Sequence, residues 1–181
     1  MISDSIIQKI ESLAADVAAR EAVVIYDIEF GGGPQGPVLR IFIDKEGGVG
    51  IEDCANVSRG LSVLLDETDP LPGGNYQLEV SSPGLERPLK KAWHFEQAVG
   101  KKVWFKFSRA LESFGCTEAQ FKTAKQVSAV LVSVRAGQAE LELGAELVLV
   151  PLDQIEKAKL VFEYNDGKQS KKGASPKGAR N

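Results

Sequence analysis

The chain has one histidine, His94, and two cysteines, Cys54 and Cys116. Those are the side chains that most often carry proton-relay, nucleophilic or zinc chemistry, so their scarcity excludes most of it. The cysteines make no Cys-x-x-Cys pair, which argues against a disulfide framework or a zinc site. Cys54 falls on an apolar helical face, where a buried free thiol is expected. His94 has no cysteine or paired carboxylate nearby with which to build a relay, so it reads as a linker residue packed between domains. The glycine cluster GGGPQG lacks the Lys-Ser/Thr of a phosphate loop and opens no helix, so it reads as a hairpin tip. No run approaches the ~20 apolar residues that span a bilayer. The N-terminal stretch has neither a positive n-region nor a continuous apolar core, so it does not read as a signal peptide. No catalytic residue, metal, cofactor or membrane is therefore expected, and the chain reads as cytoplasmic.

What is present suffices for packed cores: 43% of residues are hydrophobic, and 181 residues admit one large domain or two small ones. Ile6, Ile7, Ile10, Leu13, Ala14 and Val17 recur at helical spacing and predict a helix over 4–20, capped by Ser3 or Asp4. Residues 22–30 alternate as a strand, with Val24, Tyr26, Ile28 and Phe30 sharing a face. Residues 38–45 follow as its hairpin partner, with Leu39, Ile41 and Ile43 aligned. Ile51, Cys54, Val57, Leu61, Leu64 and Leu65 mark a second helix, with Glu52 and Asp53 at its positive N-terminal end. A third strand begins at Tyr76.

From Lys101 the pattern changes to short strands: KKVWFKF, two more around an Ala136-Gly137-Gln138 turn, ELVLVP, a helical turn at 152–155, and a last strand from Ile155. The fold class read from this is α+β. An N-terminal α-β-β-α-β domain spans 1–87, a linker 88–100, and a C-terminal SH3-like small β-barrel 101–164, with a disordered basic tail over 165–181. The long segment 109–126 interrupts the strand rhythm and leaves room for a partial helix.

Charge divides at the same place. Residues 1–87 hold 6 Lys and Arg against 15 Asp and Glu, and residues 88–181 hold 16 against 10. An acidic half joined to a basic half suits a basic protein on one side and a phosphate backbone on the other; solvated faces of unlike composition read the same way. The division runs through residues 76–95, YQLEVSSPGLERPLKKAWHF. Tyr76, Leu78 and Val80 alternate with Gln77, Glu79 and Ser81 until Ser82-Pro83-Gly84 stops the strand, Gly84 occupying the type II turn position that needs φ > 0. Lys90, Lys91, Lys101, Lys102 and Lys106 are candidate RNA-binding residues. If the linker folds back, they join Arg87 in one patch beside Trp93 and Trp104. The two tryptophans either stack on unpaired bases or fill the domain interface, and packing is the commoner fate of large aromatics. Lys168, Lys171, Lys172, Lys177 and Arg180 add a basic arm.

YQLEVSSPGLERPL, followed by a short aromatic segment and GKKV, resembles the ribosome maturation factor RimP family. So do VLRIFIDKEGGVGIEDCANVSRGLSVLLD upstream and PLDQIEKAKLVFEY near the end, and together these cover most of residues 1–164. The resemblance implies an α/β domain followed by an SH3-like barrel. It also implies a cytoplasmic, non-enzymatic protein that binds the immature 30S small ribosomal subunit, assists its late assembly and contacts the basic ribosomal protein S12, with 16S rRNA nearby. Arg40, Asp44, Arg59, Ser82 and Arg87 are then candidate partner-binding residues around the shared motif; Asp44 and Arg87 alternatively pair with each other or with backbone carbonyls to fix the loop. A monomer is expected. The rival reading is a free-standing RNA-binding module acting in translation, since both sheet types serve that role. The chain departs from the family pattern at 109–126, and at Gly50, where a capping side chain is missing at a cost of a few tenths of a kcal/mol.

Overall fold

Burial of the apolar stripe in residues 4–20 forms helix α1 (Asp4–Arg20), with Ile10, Ala14, Val17 and Ala18 inside. The computed structural model describes residues 4–34, 36–71 and 75–162. The basic arm, Ser3 and the expected end of the last strand lie outside the described residues. Strand β1 (Val24–Gly33) pairs antiparallel with β2 (Gly36–Asp44), and β2 pairs parallel with β3 (Gln77–Ser81), in the order β1-β2-β3. A parallel pair needs a long crossover, and helix α2 (Ile51–Thr68) supplies it. Gly50 has no capping side chain, but the Asp53 carboxylate accepts the Gly50 N–H at 2.8 Å, which is half of a capping box. Leu39, Ile41 and Ile43 of β2 pack with Val57, Leu61 and Leu65 of α2 and the buried stripe of α1 in one apolar cluster.

The simple alternation expected for β1 does not hold. The ladder to β2 slips between Ile25 and Asp27, and such a bulge changes which residues share a face. Ile25 and Ile28 pack on the helix side, while Tyr26 is outside that cluster although only 1% exposed.

Residues 88–100, expected as a connector, carry a short helix, α3 (Ala92–Gln97), that the sequence pattern did not suggest. Leu89, Phe95 and Ala98 from this segment belong to a second apolar cluster, built mainly by strands β4 (Lys102–Phe107), β5 (Gln126–Arg135), β6 (Gln138–Leu143), β7 (Glu146–Pro151) and β8 (Ile155–Leu160). These strands form one antiparallel sheet in the order β7-β6-β5-β4-β8. The sheet is open, with β7 and β8 at its ends and a 3-10 turn (Leu152–Gln154) joining them. Ala136 and Gly137 between β5 and β6 both have positive φ, as a type I′ hairpin turn requires.

Segment 109–126 contains a 3-10 turn (Leu111–Phe114) rather than an α-helix. Leu111 and Cys116 sink into the second cluster, and the amides of Thr117 and Glu118 donate to the Glu146 carboxylate. Cys116 is a buried free thiol and Cys54 a half-buried one; burial raises the pKa of both.

Candidate functional site

The two sheets meet at a strap formed by Arg87 to Lys91. Pro88 forms an isolated antiparallel bridge with Lys159 of β8, flanked by two backbone bonds: Leu160 N–H to Arg87 O at 3.0 Å and Leu89 N–H to Ala158 O at 2.8 Å. Proline has no N–H to satisfy, and the Pro88 carbonyl accepts the Tyr26 hydroxyl at 2.7 Å. The strap is therefore bonded to β8 by its backbone and to β1 through Tyr26.

Side chains extend the same joint. The Arg87 guanidinium meets Asp44 at 2.5 Å, donates to the Gly84 carbonyl through Nε at 3.1 Å, and lies 5.3 Å from the centre of the Tyr26 ring. Gly84 takes φ +77°, which L side chains rarely adopt, so the turn that aims Arg87 depends on glycine there. The Lys90 ammonium bridges Asp27 at 2.5 Å and Glu29 at 2.7 Å. Burial pulls its pKa down, but the hydrogen bonds to those carboxylates outweigh burial and the net shift is upward.

His94 closes the joint. Its ring stacks on Tyr26 at 3.9 Å with 3° between planes, and Trp93 meets both rings edge-on. The amides of Lys90 and Lys91 both donate to His94 Nδ1, at 3.0 and 3.2 Å. An acceptor Nδ1 leaves the proton on Nε2, which donates to the Tyr26 carbonyl at 3.1 Å. Burial lowers the pKa of His94, so the neutral ring is the stable form. Burial also pushes the Tyr26 hydroxyl up to about 12. Among the described residues no buried side-chain N or O lacks a partner. A cleft of about 460 Å³ opens beside the joint, with Tyr26, Asp44, Arg87, His94 and Lys101 on its walls.

The residues singled out from the sequence fall into different settings. Asp44 and Arg87 pair with each other, the structural alternative weighed for them. Arg40 pairs with Glu79 at 2.7 Å on the open face of the three-stranded sheet. Arg59 is exposed on α2 and donates to Asn56, and Ser82 is exposed in the loop after β3. Of the lysines, Lys90 is held by the first sheet, Lys91 precedes α3 with its amide donating to His94 Nδ1, and Lys101 lines the cleft. Lys102 and Lys106 stand on β4, where Lys106 pairs with Glu156 at 2.7 Å. Trp93 packs in the joint, whereas Trp104 lies on β4 in a groove shared with Lys90, Lys157 and Lys159.

Sequence reasoning missed Tyr26, Asp27 and Glu29 as anchors of the strap, because strict alternation put Tyr26 on one face with Ile28, which packs on the helix side. It also passed over Lys157 and Lys159, although their spacing on a strand was a usable signal. Among the described residues, no group of His, Cys, Asp and Glu is arranged to hold a metal ion, and no helix is long and apolar enough to cross a membrane.

Fold and joint together define an α+β protein in which a helix-covered sheet is strapped to an open antiparallel sheet. Residues 13–86 match the family model described as the RimP N-terminal domain, which supports the likeness of this part of the chain to the RimP family. That family is one of ribosome maturation factors and not a known enzyme family, and it implies association with the small-subunit precursor.

Proposed function

We propose that this chain is a non-catalytic assembly factor that binds the immature 30S small ribosomal subunit and assists its maturation. The observation that carries this reading is the match of residues 13–86 to the RimP N-terminal domain. In this reading the division is into two domains, with the acidic one engaging ribosomal protein S12 and the basic one lying against 16S rRNA. The second domain is an SH3-like barrel; the strand order and the 3-10 turn before β8 support that assignment. Arg59 and Ser82, both exposed, offer direct partner contacts, while Arg40, Asp44 and Arg87 act through the shape they impose on sheet and loop. The strap fixes the relative placement of the two surfaces, so a protein contact and an RNA contact are made together.

Sedimentation of cell extract through a density gradient tests the reading. The protein is expected in the fractions that hold small-subunit particles. A chain that stays at the top of the gradient under all growth conditions overturns it.

A further inference from the structure

On β4, Val103, Phe105 and Phe107 are buried, so alternation places Lys102, Trp104 and Lys106 together on the outer face. On β8, Ala158 is buried, which turns Lys157 and Lys159 to that same face. The ladder sets Trp104 directly opposite Lys159, and Lys106 opposite Lys157. Glu156 is the one carboxylate on these two strands. At the far side of the sheet, β6 instead presents Glu140 and Glu142, so the outer face has a basic end and an acidic end. Beside Trp104 a groove of about 670 Å³ runs along β8, walled by Pro88, Phe95, Leu152 and Ile155.

We infer that this β4–β8 face binds single-stranded RNA, with one unpaired base stacked on Trp104 and the flanking phosphates on the lysines around it. The inference rests on the rRNA contact proposed above and names the form of RNA and the residues that read it. A flat indole amid cations is the arrangement that tracks a nucleic-acid backbone while stacking its bases without sequence preference. The ion pairs already made there do not oppose it. Lys106–Glu156 and Lys159–Glu86 are both exposed, and exposed pairs exchange readily for another anion. Double-stranded RNA fits worse, because its stacked bases leave nothing for Trp104 to receive.

The test uses the full chain with Trp93→Phe, which leaves Trp104 as the one remaining tryptophan reporter. Titration with a short oligouridylate is expected to quench Trp104 fluorescence to saturation. In the native background, Trp104→Ala is expected to weaken oligouridylate binding about tenfold or more, and Trp104→Phe much less. Lys157→Gln is expected to reduce the slope of log K against log salt by about 0.7, the value for one lost phosphate contact on a single strand. Equal binding by Trp104→Phe, Trp104→Ala and the native chain overturns the inference, as does equal affinity for a duplex of the same length. Quenching by oligoglutamate as strong as by oligouridylate also overturns it and makes an acidic protein the partner. The outcomes separate from those of the assembly reading. Co-sedimentation with particles but no stacking signal sinks this inference alone, and a stacking signal without co-sedimentation sinks the assembly role alone.

Discussion

On the open face of the three-stranded sheet, Arg40 holds Glu79, Arg87 holds Asp44, and Lys90 reaches in from the strap to hold Asp27 and Glu29. On β4 and β8 of the other sheet, four lysines surround an outward-facing tryptophan; Glu156 is the one carboxylate on those strands, and Glu86 reaches Lys159 from the loop before the strap. The first region uses opposite charge to fix its own geometry; the second leaves cations in excess, where a phosphate can meet them. Net charge counted along the chain therefore misstates where charge is available. The acidic half neutralises much of what faces its open sheet, and its surplus sits on the helices instead.

The sharpest break of this comparison comes from removing an anchor on one side and a cation on the other. Tyr26→Ala deletes a fully buried ring, its stack on His94 and its hydroxyl bond to Pro88. Large-to-small changes of buried aromatics cost about 3–5 kcal/mol, and urea unfolding is expected to show a loss of that order. Lys157→Ala, on an exposed face, is expected to stay within about 0.5 kcal/mol of the native chain. If both changes cost alike, the two regions do not differ as described.

Next in size is the Arg87–Asp44 pair, which is mostly shielded from solvent. Asp44→Asn leaves a guanidinium without its anion beside the Tyr26 ring, and Arg87→Met leaves the converse carboxylate. A hydrogen bond to a charged group contributes about 1.5–3 kcal/mol, and each single variant is expected to lose close to the lower figure. The double variant is expected to lose much less than the sum, as a double-mutant cycle reads coupling.

A smaller effect separates the joint from the basic face by pH. His94 is neutral when folded, its pKa below the ordinary 6.5 because it is buried. Above 6.5 both folded and unfolded chains carry the neutral ring and the contribution is complete. As pH falls from 6.5 through the folded value, the unfolded chain binds a proton first and stability is lost. Urea midpoints compared between about pH 7.5 and about pH 5.5 are expected to fall more for the native chain than for His94→Asn. Equal slopes would remove His94 as the source.

Much of this was legible in the sequence because the helices and strands follow plain periodicity: the stripe from Ile6 to Val17, and the alternation of Val103, Phe105 and Phe107 in β4. The bulge at Tyr26 was not, since an extra residue in a strand leaves no mark on composition. Helix α3 escaped for a different reason. Its six residues are too few to show a period, and its start is stabilised by His94 accepting backbone amides, a role periodicity does not reveal. The Asp44–Arg87 pair could be suspected from charge and proximity to the loop. The pairing of Lys90 with Asp27 and Glu29 required knowing that the strap returns to β1.

The smallest expected effect falls on Arg40 and Glu79, paired at 2.7 Å but with side chains 38% and 50% exposed. The ladder sets Glu29 opposite Arg40 on the other side, so Arg40 sits between two carboxylates across the strands. Cross-strand charge pairs at exposed positions contribute about 0.2–1 kcal/mol. Arg40→Gln is expected to cost about 0.5 kcal/mol at low ionic strength and less at high salt, because screening removes attraction between exposed charges first. Glu29 keeps its bond to Lys90 in that variant, which limits the repulsion left between Glu29 and Glu79. A loss of several kcal/mol that salt does not reduce would mean that this face is shielded from water, and the contrast between a self-neutralised sheet and an open basic one would then need another cause.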